Sequence, residues 1–132
     1  MTDNPAPTIW PSLAYTNAPA AIRFLVEAFG FVESLVVPGE GGREIAHAEL
    51  RWPEGGGVML GSISDDSVFS RRKPGMTSVY VVTDAPDALF ERATDAGAEV
   101  VRGLHDEDYG SREFTVRDPE GNLWSFGTYR SA

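Results

Sequence analysis

Two histidines, His47 and His105, are the only side chains of the 132 residues that ordinarily titrate near neutral pH, and no cysteine supplies a thiolate. Proton transfer or metal ligation in this chain must therefore run through these imidazoles and the carboxylates beside them. In Ile45-Ala46-His47-Ala48-Glu49-Leu50-Arg51-Trp52, alternation puts Ala46, Ala48, Leu50 and Trp52 on one strand face and Ile45, His47, Glu49 and Arg51 on the other. His47 and Glu49 then point the same way, about 7 Å apart along the strand. Such a pair can act as a general base with a carboxylate that fixes its tautomer, or supply two ligands of a metal site. It can also form a polar wall that hydrogen-bonds water or a ligand.

His105 lies in Leu104-His105-Asp106-Glu107-Asp108-Tyr109, read as an acidic loop before the seventh strand. Beside it, Tyr109 and Arg112 can close over a ligand, with the guanidinium gripping a carboxylate or stacking on a flat ring. Arg112 can equally pair with a nearby acid and hold the loop. Several common catalytic patterns are missing from the sequence: a Walker-type phosphate loop, GxGxxG after a strand, a GxSxG elbow and HExxH. Ser12, Ser78 and Ser125 have no histidine at a spacing that marks a nucleophilic triad.

The elements that position these residues occur twice. Thr16-Asn17-Ala18-Pro19 returns as Thr83-Asp84-Ala85-Pro86, 67 residues on, and the same offset carries Gly30 to Gly97. Pro53-Glu54-Gly55 returns as Pro119-Glu120-Gly121 at an offset of 66. Each half reads strand, helix, then three strands. Ile9 to Tyr15 is the first strand; Asn17 and Asp84 stand as helix caps, with Pro19 and Pro86 in the first turn; Gly30 and Gly97 end the helices. Val32–Val37, Ile45–Trp52 and Val58–Gly61 follow in the first half, and Glu99–Arg102, Glu113–Arg117 and Leu123–Tyr129 in the second. The expected fold class is α+β, a single domain over residues 1–132 built of two tandem βαβββ modules, about 8–62 and 75–129. Residues 62–75 form a polar linker.

The chain is 42% hydrophobic and 23% charged, which is ordinary for a globular domain and excludes disordered and low-complexity classes. Its net charge of −9 repels phosphate backbones and anionic lipid, so neither nucleic acid nor a membrane surface is an expected partner. Met1-Thr2-Asp3-Asn4-Pro5 lacks the basic start and apolar run of a secretory signal, and no stretch approaches the length of a membrane span, so the expected location is the cytoplasm.

The doubled plan resembles the vicinal oxygen chelate superfamily, which includes glyoxalase I, extradiol dioxygenases and bleomycin-binding resistance proteins. The likeness rests on the strand leading to Asn17-Ala18-Pro19, on Phe29-Gly30-Phe31, and on Tyr109-Gly110-Ser111-Arg112-Glu113-Phe114 running into Asp118-Pro119-Glu120-Gly121-Asn122-Leu123-Trp124. It implies that the strands curl into a mixed-sheet cleft, and that metal-dependent members take His and Glu ligands at positions corresponding to Trp10, Thr77, Met59 and Ser125. None of these four is a usual ligand of a divalent metal, so the resemblance implies no metal and no cofactor here. In the implied cleft, Trp10 and Ser12 meet His47 and Glu49, with Ser125 approaching from the other module and Tyr109 and Arg112 at the mouth; Trp124 and Phe126 belong to the core. The function this implies is binding or sequestration of a small organic molecule, aromatic or cationic, by a bleomycin-resistance-type homodimer. The alternative is a glyoxalase- or dioxygenase-like enzyme whose metal site is displaced onto His47 and Glu49.

Overall fold

A computed structural model of the protein describes residues 7–130; Met1–Pro5, where the absence of a signal was read, lie outside the described residues. The elements are β1 (Ser12–Tyr15), α1 (Ala18–Phe24) continuing into a π-helical turn (Leu25–Phe29), β2 (Val32–Pro38), a short 3-10 turn, β3 (Ile45–Arg51), β4 (Gly57–Ser62), β5 (Ser78–Val82), α2 (Pro86–Asp95), β6 (Glu99–Asp106), β7 (Arg112–Arg117) and β8 (Leu123–Gly127). They form two four-stranded mixed sheets of the same plan, ordered β1-β4-β3-β2 and β5-β8-β7-β6. In each sheet the first strand runs parallel to the last, and the remaining pairs are antiparallel. This is the α+β fold of two βαβββ modules. No helix among the described residues is long and apolar enough to cross a membrane.

The alternation expected for β3 holds from His47 to Leu50, with Ala48 and Leu50 buried and His47 and Glu49 on the opposite face. A register shift against β2 reverses it at the start of the strand, where Ala46 is exposed and Ile45 packs on the core. Leu13 and Tyr15 of β1, Val58 and Leu60 of β4, and Phe114, Val116, Trp124 and Phe126 of β7 and β8 join Ala48 and Leu50 in a single core that both modules share. Phe29 packs on Trp124 and Phe126 at ring separations of 5.4 and 4.8 Å, and Trp52 meets Phe126 at 5.9 Å. Arg92 of α2 donates to the carbonyls of Val26 and Glu27, which lie in the last turn of the first helix. Val26 also accepts from the Gly30 amide, so the guanidinium adds a second donor there and supplies one to the Glu27 carbonyl at the helix end.

Three expectations need correction. β1 starts at Ser12 and not at Ile9, because Pro11 has no N–H to donate, although its carbonyl accepts from Met59 at 2.8 Å. β6 runs on to Asp106, so His105 is a strand residue paired with Glu113 and does not lie in a loop. The second helix is capped at Ala85 with no side-chain hydrogen bond; Asp84 instead pairs with Arg130 at 2.9 Å. Asn17 does cap its helix, accepting from the Ala20 amide.

The caps Asn17 and Ala85 are 68 residues apart, whereas Gly30 and Gly97, both left-handed, are 67 apart. From cap to left-handed glycine the first helix is therefore one residue longer than the second, and it closes in the π-helical turn at Leu25–Phe29.

The turn Asp118–Asn122 ties the modules together. Asp118 is buried and accepts from the Tyr15 hydroxyl at 2.7 Å, Trp124 Nε1 at 3.0 Å, the Asn122 side chain at 3.1 Å, and the Glu120 and Asn122 amides. Burial, and then the Asp118 charge, push the Tyr15 phenol well above its usual range. Asp118→Ala orphans several buried donors and should cost on the order of 3 kcal/mol or more in urea unfolding, and Tyr15→Phe about 1.5–3 kcal/mol. Tyr15 ionises in the unfolded chain near pH 10 but not in the folded one, so its contribution is complete below about pH 10 and is lost as pH rises further. Tyr15→Phe should flatten that alkaline decline.

Candidate functional site

Both sheets set their apolar faces on the shared core, so the polar alternates point away from it. On the first sheet these are Ser12, Ala14, His47, Glu49, Arg51 and Met59. The two central ones form a contact pair, His47 Nε2 to Glu49 Oε2 at 2.8 Å. Ser12 and His47 line a pocket of about 210 Å³ that Phe69 and Ser70 of the linker help to wall, and Arg72 of the linker donates to the Ser12 carbonyl. Trp10 lies at the other end of the same face. The Arg51 guanidinium sits 5.3 Å over its ring, and a Cβ at Gly57 would be 2.7 Å from that ring, so the glycine leaves room for the indole.

On the second sheet, Tyr80, Glu113, Thr115 and Ser125 form the corresponding face. Tyr80, Glu113 and Ser125, together with Ser78, Val79, Tyr109 and Tyr129, surround an open pocket of about 540 Å³, within the usual size range of small-molecule sites. The Tyr109 and Tyr129 rings meet edge to face at 5.5 Å; the Tyr80 hydroxyl donates to the Tyr129 carbonyl at 2.7 Å, and the Tyr109 hydroxyl to Glu113 at 2.9 Å. Ser125 shares a 2.8 Å hydrogen bond with Thr115. Tyr80, Tyr109 and Tyr129 remain 43%, 58% and 44% exposed, so their ring faces are available to a ligand. Gly127 sets the floor, since a Cβ there would approach the Tyr80 hydroxyl and Glu113 Cγ to 2.7 Å.

The expected meeting of Trp10, Ser12, His47, Glu49 and Ser125 in one cleft does not occur within a single chain: His47 and Ser125 line different pockets. The shared core is the reason, because it turns both polar faces outward. Arg112 does not reach the pocket. Alternation opposite Glu113 sends it to the helix side, where it pairs with Asp87 at 2.7 Å and Asp106 at 3.2 Å. Those carboxylates raise its pKa, and Arg112 in turn holds the Asp87 carboxyl below its usual range. Sequence reasoning missed Tyr80, Glu113 and Tyr129. The signal was present in Ser78-Val79-Tyr80-Val81-Val82, where the tyrosine takes the outward position between buried and half-buried valines.

A family model described as the glyoxalase/bleomycin resistance protein/dioxygenase superfamily matches residues 9–126. The chain belongs to that superfamily. An uncharacterized protein of Mycobacterium bovis is 40% identical over 134 residues, spanning 96% of this chain and 86% of its own length. Among solved structures, TioX from Micromonospora sp. ML1 superposes with a TM-score of 0.80 at 35% identity, over 95% of this chain and 100% of TioX. TnmS3, an antibiotic-binding protein from Streptomyces sp. CB03234, superposes with a TM-score of 0.66 at 25% identity, over 93% of this chain and 97% of its own.

At the positions where metal-dependent glyoxalase-superfamily members were expected to hold their ion, this chain has an indole, a thioether and two hydroxyls. That donor set does not fit a divalent cation, and no step is derived through one there. Nor do His47 and Glu49 gather a third ligand among the described residues.

Glu113 governs the proton on its neighbour. The Tyr109 phenol is pushed up to about 12, first by the hydrogen bond to that carboxylate and then by burial and its charge. An alkaline titration followed by near-ultraviolet absorbance should show Tyr109 ionising late, and Glu113→Gln should lower its pKa toward the usual tyrosine value.

Proposed function

We propose that this protein binds and sequesters a small aromatic or cationic organic molecule in the tyrosine-lined pocket of its second sheet. The observation that carries the reading is that three exposed tyrosines, the Ser125 hydroxyl and one carboxylate, Glu113, which accepts from Tyr109, line a single pocket. Phenol rings stack on flat ligands and attract cations, adding roughly 0.5–1.5 kcal/mol per contact beyond buried area, and the carboxylate supplies the counter-charge. The net charge of −9 favours the same class of ligand. The structural similarity to TnmS3, an antibiotic-binding protein, supports a binding role.

In this reading the protein works as a cytoplasmic homodimer, and the face carrying Ser12, His47 and Glu49 contributes to binding when a second copy lies across it. Val32, Leu35 and Val37 on edge strand β2, and Val100 and Val101 on β6, are exposed apolar side chains of the kind that pairing covers. Light scattering should give twice 14.3 kDa; a monomer at micromolar concentration would count against this arrangement.

Titrating a panel of planar cationic compounds, followed by tyrosine and tryptophan fluorescence, tests the binding site. Tyr80→Ala and Glu113→Gln should each weaken the best binder by about tenfold or more, equivalent to roughly 1.4 kcal/mol, and Arg71→Ala in the linker should have no effect. The reading fails if no compound binds better than millimolar. If Trp10→Ala and Glu49→Gln abolish binding while Tyr80→Ala does not, the site belongs to the first sheet.

A further inference from the structure

Beside the tyrosine pocket, β6 and β7 bring together His105, Glu107 and Glu113. These three are the only group of metal-capable side chains of that size among the described residues, with one ligand atom from each lying within 4.8 Å of the others. β-Sheet register makes the arrangement: His105 stands directly across from Glu113, and Glu107 follows where the Glu107–Ser111 hydrogen bond turns the chain back. His105 and Glu107 are largely sheltered, their side chains 22% and 24% exposed.

The hydrogen bonding of His105 gives the cluster its meaning. Nδ1 lies 2.8 Å from the Gly103 carbonyl, which can only accept, so Nδ1 carries a proton. Nε2 of a neutral ring then presents a lone pair, yet it faces Glu107 Oε1 at 2.7 Å, another acceptor. The pair is satisfied either by a second proton on the ring or by a metal ion held beside it. A backbone carbonyl that takes the far N–H and leaves Nε2 free to coordinate is the usual support for a metal-ligating histidine. Glu113 adds a second carboxylate on the same side, and its partner Tyr109 is a neutral phenol that does not compensate it. The Arg102 guanidinium reaches Glu107 only at 3.4 Å from an exposed position, and Arg112 is engaged by Asp87 and Asp106.

We propose that His105, Glu107 and Glu113 form a binding site for a divalent first-row transition metal. One imidazole and two carboxylates suit manganese, iron(II), cobalt or zinc, with positions left open toward the pocket. The ligand atoms lie within 4.8 Å of one another, so metal–ligand bonds of about 2.1 Å would draw the Glu113 carboxylate inward. This site is distinct from the positions at Trp10, Met59, Thr77 and Ser125, and it stands whatever organic ligand the pocket takes. His47 with Glu49 is an internal control: the same i, i+2 pair at 2.8 Å, with no third ligand.

Cobalt(II) titrated into the metal-stripped protein, followed by its visible absorption and by calorimetry, tests the proposal. The expected result is one ion per chain with a micromolar dissociation constant, displaced by zinc. His105→Ala and Glu113→Gln should each weaken binding at least tenfold while circular dichroism remains unchanged, and His47→Ala should leave it unaffected. Binding of the ion should also shift the late-titrating tyrosine, because Glu113 is drawn from Tyr109 to the metal. The absence of saturable binding below millimolar cobalt would overturn the proposal, showing that a proton alone satisfies His105. Equal binding by the wild type, His105→Ala and Glu113→Gln, or loss on His47→Ala alone, would overturn it as well.

Discussion

One buried carboxylate organises the joint between the two halves of this protein. Asp118 sits in the turn between β7 and β8, yet its shortest hydrogen bond is from Tyr15, at the end of β1 and 103 residues away. An ionised group out of water is tolerated only when its lone pairs are filled, and here the tyrosine hydroxyl, the Trp124 indole, the Asn122 side chain and two amides fill them. The rest of the turn extends the same joint. Glu120 accepts from the Thr16 and Asn17 amides at the entrance to α1, and Asn122 accepts from the Thr77 amide ahead of β5. A single five-residue turn thereby fixes where the first helix starts, where the second sheet starts and how the modules meet.

With the modules fixed in that way, the location of the site follows. Each βαβββ unit has an apolar face that must be covered, and both units cover it with the same aromatic core around Phe29, Trp124 and Phe126. The polar faces are left pointing outward, each with its own pocket. The first carries its histidine–glutamate pair under the linker and has its best aromatic, Trp10, already engaged by Arg51. The second carries three tyrosines whose ring faces have no such partner, and it is there that the chemistry concentrates.

Glu113 is the residue on which that second face turns. It stands across the ladder from His105, accepts from Tyr109 and borders Gly127, so one carboxylate belongs to the aromatic pocket and to the His105 cluster at once. Its neighbour in sequence, Arg112, shows how much a strand's alternation matters: one position away, the side chain is on the opposite face, locked between Asp87 and Asp106 as a structural tie.

By itself the sequence determined the duplicated βαβββ plan, the helix-ending glycines and the sorting of β3 beyond Ala46 and of β8 into core and outward residues, because each depends on local periodicity or on a backbone conformation that glycine readily adopts. Proline at Pro11, the π-helical turn and the diversion of Asp84 to Arg130 moved element boundaries by one to three residues, since each depends on a contact or hydrogen bond that the local pattern does not encode. Tertiary structure alone decided which outward residues share a pocket. Alternation shows that Glu49 and Ser125 both face away from the core, but the relative placement of two sheets is fixed by long-range packing and by the Tyr15–Asp118 bond. The same holds for His105 and Glu113: nothing in their spacing of eight residues marks them as partners. Only the antiparallel register of β6 on β7, with its irregularities between Val100 and His105, sets them face to face.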